Sequence, residues 1–127
     1  MLQRSAVLIA AVLGFLAVVA GTFGAHVLRG RIAPDLLETY EVGVRYHMYH
    51  ALAILACAAL AGRLPARRLG WAVRFFTAGV AVFAGSLYLL VISGARWLGM
   101  ITPLGGVMLL LGWLCLAGAA LGRGDGS

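Results

Sequence analysis

Lysine is missing from this chain: its ten basic residues are all arginine, and only four acidic residues oppose them, for a net charge of +6 over 127 residues. Charged residues make up 11% of the sequence, against about 25% in an ordinary soluble domain. With 63% hydrophobic residues and a mean hydropathy of +1.01, a water-soluble fold is excluded. Nucleic-acid binding needs arginines gathered on one exposed face with aromatics between them. Here the arginines punctuate the ends of apolar runs, so the expected partner is the lipid bilayer and not a nucleic acid.

Other absences narrow the chemistry. Cys57 and Cys115 both fall inside apolar runs, with no CxxC pair and no Cys/His ligand spacing, and read as small core- or lipid-facing side chains. There is no HExxH arrangement, no pair of carboxylates within an apolar run, and no nucleophile beside a base. No catalytic residue, cofactor or metal ligand is therefore assigned.

What is present is apolar length. A spanning helix needs about 20 apolar residues to cross a hydrocarbon core roughly 30 Å thick, so the chain has room for four spans. The first run starts behind Arg4 and covers Ser5 to Ala25; its apolar core is too long for a signal peptide, so it is read as a retained span. The second extends to Gly62 and stops at RLPARRLG, read as a loop around Pro65. The third runs from about Trp71 to Ser93 and ends at GARW. The fourth starts at Thr102, read as an N-cap, with Pro103 at the first helical position. The fold expected is an all-α integral membrane protein, a four-helix bundle in one domain (1–127), with spans at about 5–26, 44–62, 71–93 and 103–122.

With four spans, Arg4, Arg63, Arg67, Arg68, Arg74 and Arg123 share one side, while Arg29, Arg31, Arg45 and Arg96 share the other. The excess points both termini toward the cytoplasm. Small residues at four-residue spacing, Ala10 with Gly14, Ala17 with Gly21, Thr77 and Ala81 with Gly85, and Gly118 with Gly122, mark close helix packing. Gly24, Gly105 and Gly106 are assigned the same role.

Acids and bases mix only in RGRIAPDLLETYEVGVRYHMYH, between the first two spans. Leu36 or Leu37, Tyr40, Val44 and His47 recur at helical spacing on one face, and Glu41 stands four residues before Arg45, the favourable order for an ion pair. This predicts a short amphipathic helix in the membrane interface, bending near Gly43 into the second span.

The topology gathers the unusual polar residues at one face: His26, Arg29, Glu41, Arg45, His47, Tyr49, His50, Arg96 and Thr102, with Ser86 and Tyr88 approaching it from the third span. Three readings stay open. The cluster is interfacial anchoring, with Tyr40, Tyr46 and Tyr49 as an aromatic belt. Or it is internal wiring, with His26 or His50 bonded to a neighbouring helix and Glu41 to Arg45. Or it is a ligand site, either three imidazoles (His26, His47, His50) around a metal or Arg29, Arg45 and Arg96 around an oxyanion.

The stretches GTFGAHVLRG, YEVGVRYHMYHALAIL, FAGSLYLLVISG and ITPLGGVMLLLGW carry a resemblance. In their order and spacing the chain resembles the YgdD-type small inner-membrane proteins, catalogued as domain of unknown function 423 and related to a eukaryotic transmembrane protein. The resemblance implies a four-span protein of the bacterial inner membrane and no reaction. His47 departs from the pattern, since many relatives carry glutamine there. The function expected is a non-enzymatic structural or small-ligand or lipid-binding membrane component; the alternatives are an oligomeric solute or ion transporter or a histidine-based metal binder. A second copy or another membrane protein is the expected protein partner.

Overall fold

A computed structural model describes residues 2–122. Arg123, counted in the charge asymmetry, lies outside them. Four helices follow one another: α1 (Leu2–Phe23), continued by a π-helical turn (Gly24–Leu28); α2 (Pro34–Leu60); α3 (Ala66–Ser93); and α4 (Thr102–Leu121), preceded by a 3-10 turn (Arg96–Met100). Three segments, Leu2–Leu28, Ala66–Ser93 and Arg96–Leu121, are long and apolar enough to cross a membrane.

Short connections make successive helices antiparallel. α1 packs on α2, α2 on α3 and α3 on α4, while α1 and α4 share no comparable interface. The array is therefore open rather than a closed ring. It has two ends: a histidine end, where α1 hands over to α2 and α3 to α4, and an arginine end, where α2 turns into α3.

Two expectations are corrected. The helix expected to be short is instead the first half of one long helix continuous with the second span, Pro34–Leu60. Gly43 is a notch: a Cβ there would lie 3.0 Å from the ring of Tyr88 in α3. The loop expected at RLPARRLG is cut short, because Pro65 is the N-cap of α3 and helix begins at Ala66. Proline cannot continue a preceding helix but is well suited to start the next, so Arg67 and Arg68 are helical. Arg68 then donates to the carbonyl of Gly118 near the end of α4.

Thr102 is the first helical residue of α4 rather than its cap, and its hydroxyl serves an interhelical bond instead. α3 ends as expected at Gly94, whose φ of +74° places it in the left-handed region while its N–H reaches Leu90 O at 2.8 Å.

The apolar core fills the arginine half, where Ala6 and Ala10 meet Ile54, Cys57 and Ala58 of α2 and Leu69, Val73 and Phe76 of α3. Both cysteines are free, Cys57 buried and Cys115 half-buried. Outward, α1 exposes Leu8 and Phe15, and α4 exposes Leu110 and Leu114. Apolar faces on this scale call for lipid or a partner.

The α3–α4 contact interlocks reciprocally. Phe76 lies against Gly112, Leu109 against Gly79, and Phe83 against Gly105, running in opposite directions along the two helices. The packing glycines are thus Gly105, with Gly21 against Val44 and Gly24 against Tyr40, joined by Gly43, Gly79 and Gly112. Gly14 and Gly85 have no neighbour within 4 Å, and Gly106 only touches Phe83 at 3.9 Å. Those three are not close-packing positions.

Candidate functional site

The histidine half is held by polar pairs between helices. His47, on α2 and 5% exposed, bonds through Nδ1 to the Tyr88 hydroxyl of α3 at 2.9 Å. Tyr88 stacks at a tilt on Tyr40, ring centroids 5.2 Å apart. Tyr40 in turn donates to the main-chain carbonyl of Ala20 in α1 at 2.6 Å. Gly24 admits that ring, since a Cβ there would stand 2.6 Å from Tyr40 Cε1. The chain of groups ties α1, α2 and α3 together and leaves His47 Nε2 buried without a hydrogen-bond partner.

One turn further along α2, His50 is also 5% exposed. Its Nδ1 lies 2.7 Å from the carbonyl oxygen of Tyr46, and its Nε2 accepts from the indole N–H of Trp113 in α4 at 3.1 Å. A carbonyl only accepts and an indole N–H only donates, so the proton sits on Nδ1 and the ring is neutral. No lone pair is left for a metal.

A third link joins α3 to α4. The hydroxyls of Ser86 and Thr102 are 2.6 Å apart, and Ser86 donates to Phe83 O or shares its proton with Thr102. Buried hydroxyls in lipid find such partners because the alternative is an unpaired polar group.

The remaining candidates are at the surface. His26, on the π-helical turn, is exposed, as are Arg45, Tyr49 and Arg96. Glu41 pairs with Arg29 at 3.1 Å rather than with Arg45; both partners are solvent-accessible, 61% for Arg29 and 37% for Glu41. The three-imidazole arrangement does not form: among the described residues no three histidine, cysteine or carboxylate side chains come together. The wiring reading is met by His50, not by His26. Of the three tyrosines read as a belt, Tyr46 and Tyr49 are exposed, but Tyr40 is buried, only 3% accessible, and bonded to α1.

Because α2 and α4 both lean on α3 without packing on each other, a groove of about 720 Å³ opens between them. Tyr46, Tyr49 and His50 line it from α2, and Pro103, Val107, Leu110 and Trp113 from α4. The volume is that of an ordinary ligand pocket, about 300–1,000 Å³. Its wall is mostly apolar, and two of the polar groups that line it, His50 and Trp113, satisfy each other. Tyr46 and Tyr49 are exposed, and their hydroxyls make no hydrogen bond within the described residues, which leaves them free beside the groove.

Sequence reading missed Trp113, Phe76, which packs on Trp113 and His50, and Phe83, which stacks on Tyr46. Trp113 belonged to the ITPLGGVMLLLGW stretch, yet nothing local tied it to a histidine 63 positions earlier.

The DUF423 family model, described as a protein of unknown function, matches residues 20–106. The chain is similar to the UPF0382 membrane protein YwdK of Bacillus subtilis (strain 168), 40% identical over 91% of this chain and 94% of that one. It is similar as well to UPF0382 inner membrane protein YgdD of Escherichia coli (strain K12), 38% identical over 94% and 92%, and to UPF0382 membrane protein SAB0533 of Staphylococcus aureus, 39% identical over 87% and 89%. No solved structure matches.

Proposed function

As the chain belongs to the DUF423 family of membrane proteins, we propose that it is a four-span protein of the bacterial inner membrane that holds an amphiphile in the groove between α2 and α4. The observation that carries this reading is the groove itself: about 720 Å³, mostly apolar, and lined by Tyr46 and Tyr49, whose hydroxyls make no hydrogen bond among the described residues. An acyl chain fits the wall, and an ester or phosphate oxygen suits the hydroxyls.

α2 counts as the fourth span for a physical reason. It lies antiparallel between two apolar spans, α1 and α3, and its 27 residues extend about 40 Å at 1.5 Å per residue. His47 and His50 lower its hydropathy but face protein, not lipid. The arginine end, with Arg4, Arg63, Arg67, Arg68 and Arg74, faces the cytoplasm in this reading, which puts both termini there.

A binder accounts for the site better than a catalyst or a channel. Ser86 is committed to Phe83 and Thr102, and His50 has no free nitrogen, so neither is poised as nucleophile or base. The polar groups between helices bond to one another instead of forming a path across the protein.

Native mass spectrometry of the mildly released protein tests this. Gly106 lines the groove, and a Cβ there would make only ordinary contact with Phe83, at 3.9 Å, so Gly106→Leu is placed to fill the groove, and exposed His26→Ala is the control. The parent and H26A are expected to carry one more retained lipid-sized mass than G106L does. Equal retention by all three sinks the groove reading.

A further inference from the structure

α1 and α3 begin at the same end of the molecule, and their first turns enclose a second depression of about 440 Å³. Ser5 and Ile9 line it from α1, and Arg67, Gly70, Val73 and Arg74 from α3. Arg67 and Arg74 stand seven residues apart, two turns along one helix face. Neither forms an ion pair: the described acids, Asp35, Glu38 and Glu41, are in the first half of α2, and among the described residues the salt bridge found is Arg29 with Glu41. The guanidinium of Arg74 lies over the ring of Trp71, 4.9 Å from its centroid, a stack that steadies it beside the depression.

None of the described acids lies at this end of the molecule. Neither α1 nor α3 carries an acid in its first turn, and α3 has no side-chain cap. Two positive helix ends therefore add to the two guanidinium charges. Ser5 makes no hydrogen bond among the described residues and is exposed, so its hydroxyl is free to donate. Alongside these polar groups the wall is apolar at Ile9 and Val73, and a Cβ at Gly70, between the two arginines, would meet no atom within 4 Å.

Guanidinium charge beside an apolar wall matches one class of occupant already present in every bacterial membrane. We propose that this depression is a headgroup site for an anionic phospholipid, its phosphate between Arg67 and Arg74 and its acyl chain along Ile9 and Val73. A basic recess between helices is how membrane proteins select acidic lipids. The guanidinium fork supplies the matching donors. This site involves other helices and the opposite end from the α2–α4 groove, and it stands whether or not that groove holds an amphiphile.

The test is lipid titration of the purified full chain by native mass spectrometry, with phosphatidylglycerol against phosphatidylcholine. The parent is expected to favour phosphatidylglycerol about thirty-fold, the effect of two arginines on an anionic headgroup. The double variant Arg67→Gln/Arg74→Gln is expected to bind both lipids alike. Gly70→Leu keeps every charge and plugs the recess, and should lose the preference as well, which covers the case in which the double variant fails to fold. Gly106→Leu, which fills the other groove, should keep it. Inorganic phosphate in excess is expected not to displace the lipid; displacement would assign the site to a free anion and overturn the proposal. So would equal affinity of the parent for the two lipids, or an unchanged preference in Gly70→Leu.

Discussion

The indole N–H of Trp113 donates to Nε2 of His50 at 3.1 Å, joining α4 to α2 across a groove that their backbones leave open. The other nitrogen of the same ring faces the Tyr46 carbonyl at 2.7 Å. His50 is thereby fixed as the neutral Nδ1–H tautomer. Nitrogen-15 NMR of histidine-labelled protein is expected to show one such ring at neutral pH, with an unprotonated Nε2; a charged ring or the Nε2–H tautomer would contradict the geometry. Trp113→Phe keeps most of the ring contact with Phe76 and removes the donor. Its expected cost is about 1 kcal/mol of stability in a detergent melt.

His47 and Tyr88 form the second pair to test. Tyr88→Phe strips the last hydrogen bond from a buried imidazole whose Nε2 is already unpartnered. Leaving one partner buried and unpaired costs about 1–3 kcal/mol, whereas removing both polar groups together is far less damaging. The expected pattern is a clear loss of melting temperature in Tyr88→Phe and in His47→Leu, and partial recovery in the double variant. A double-mutant cycle reads it directly. Strict additivity would show that the two groups do not interact.

The ion pair of Arg29 with Glu41 is expected to matter little. Its partners are 61% and 37% exposed, and pairs in such settings contribute about 0–1 kcal/mol. Glu41→Gln should shift the melting temperature no more than Arg45→Gln does, and added salt should erase any difference between them. A large, salt-resistant loss in Glu41→Gln would mean that the pair locks the α1–α2 connection.

These pairs show what could be read from the sequence. The apolar runs announced α1, α3 and α4, and the polar crowding around RYHMYH falls in the half of the molecule held by hydrogen bonds, without saying which of its residues form them. Local rules failed where a distant residue competed. The four-residue spacing of Glu41 and Arg45 lost to Arg29, which reaches the same carboxylate from the end of α1. Gly43 looks the same in sequence whether it bends a helix or admits a ring, and only Tyr88, 45 positions later, decides it. His50 and Trp113 carry no periodic signal linking them, so the groove between α2 and α4 had no trace in the chain.

Glycine offers the sharpest separation between spacing and geometry. Gly85 and Gly105 both fit a small-residue pattern, yet a Cβ at Gly85 meets nothing within 4 Å, while one at Gly105 collides with the main chain of Phe83. Backbone does not move aside as a flexible side chain does, so Gly105→Ala must push α4 away from α3 and strain the Phe76–Gly112 and Leu109–Gly79 contacts that follow along the same seam. Overpacking of this kind costs about 1–3 kcal/mol. Gly85→Ala meets no obstacle and gains helix propensity, about 1 kcal/mol in an exposed helix interior. The expected result of parallel detergent melts is a lower melting temperature for Gly105→Ala and an unchanged or higher one for Gly85→Ala. Equal losses in both would mean that the two helices pack on a different face from the one described, with Gly85 at the seam.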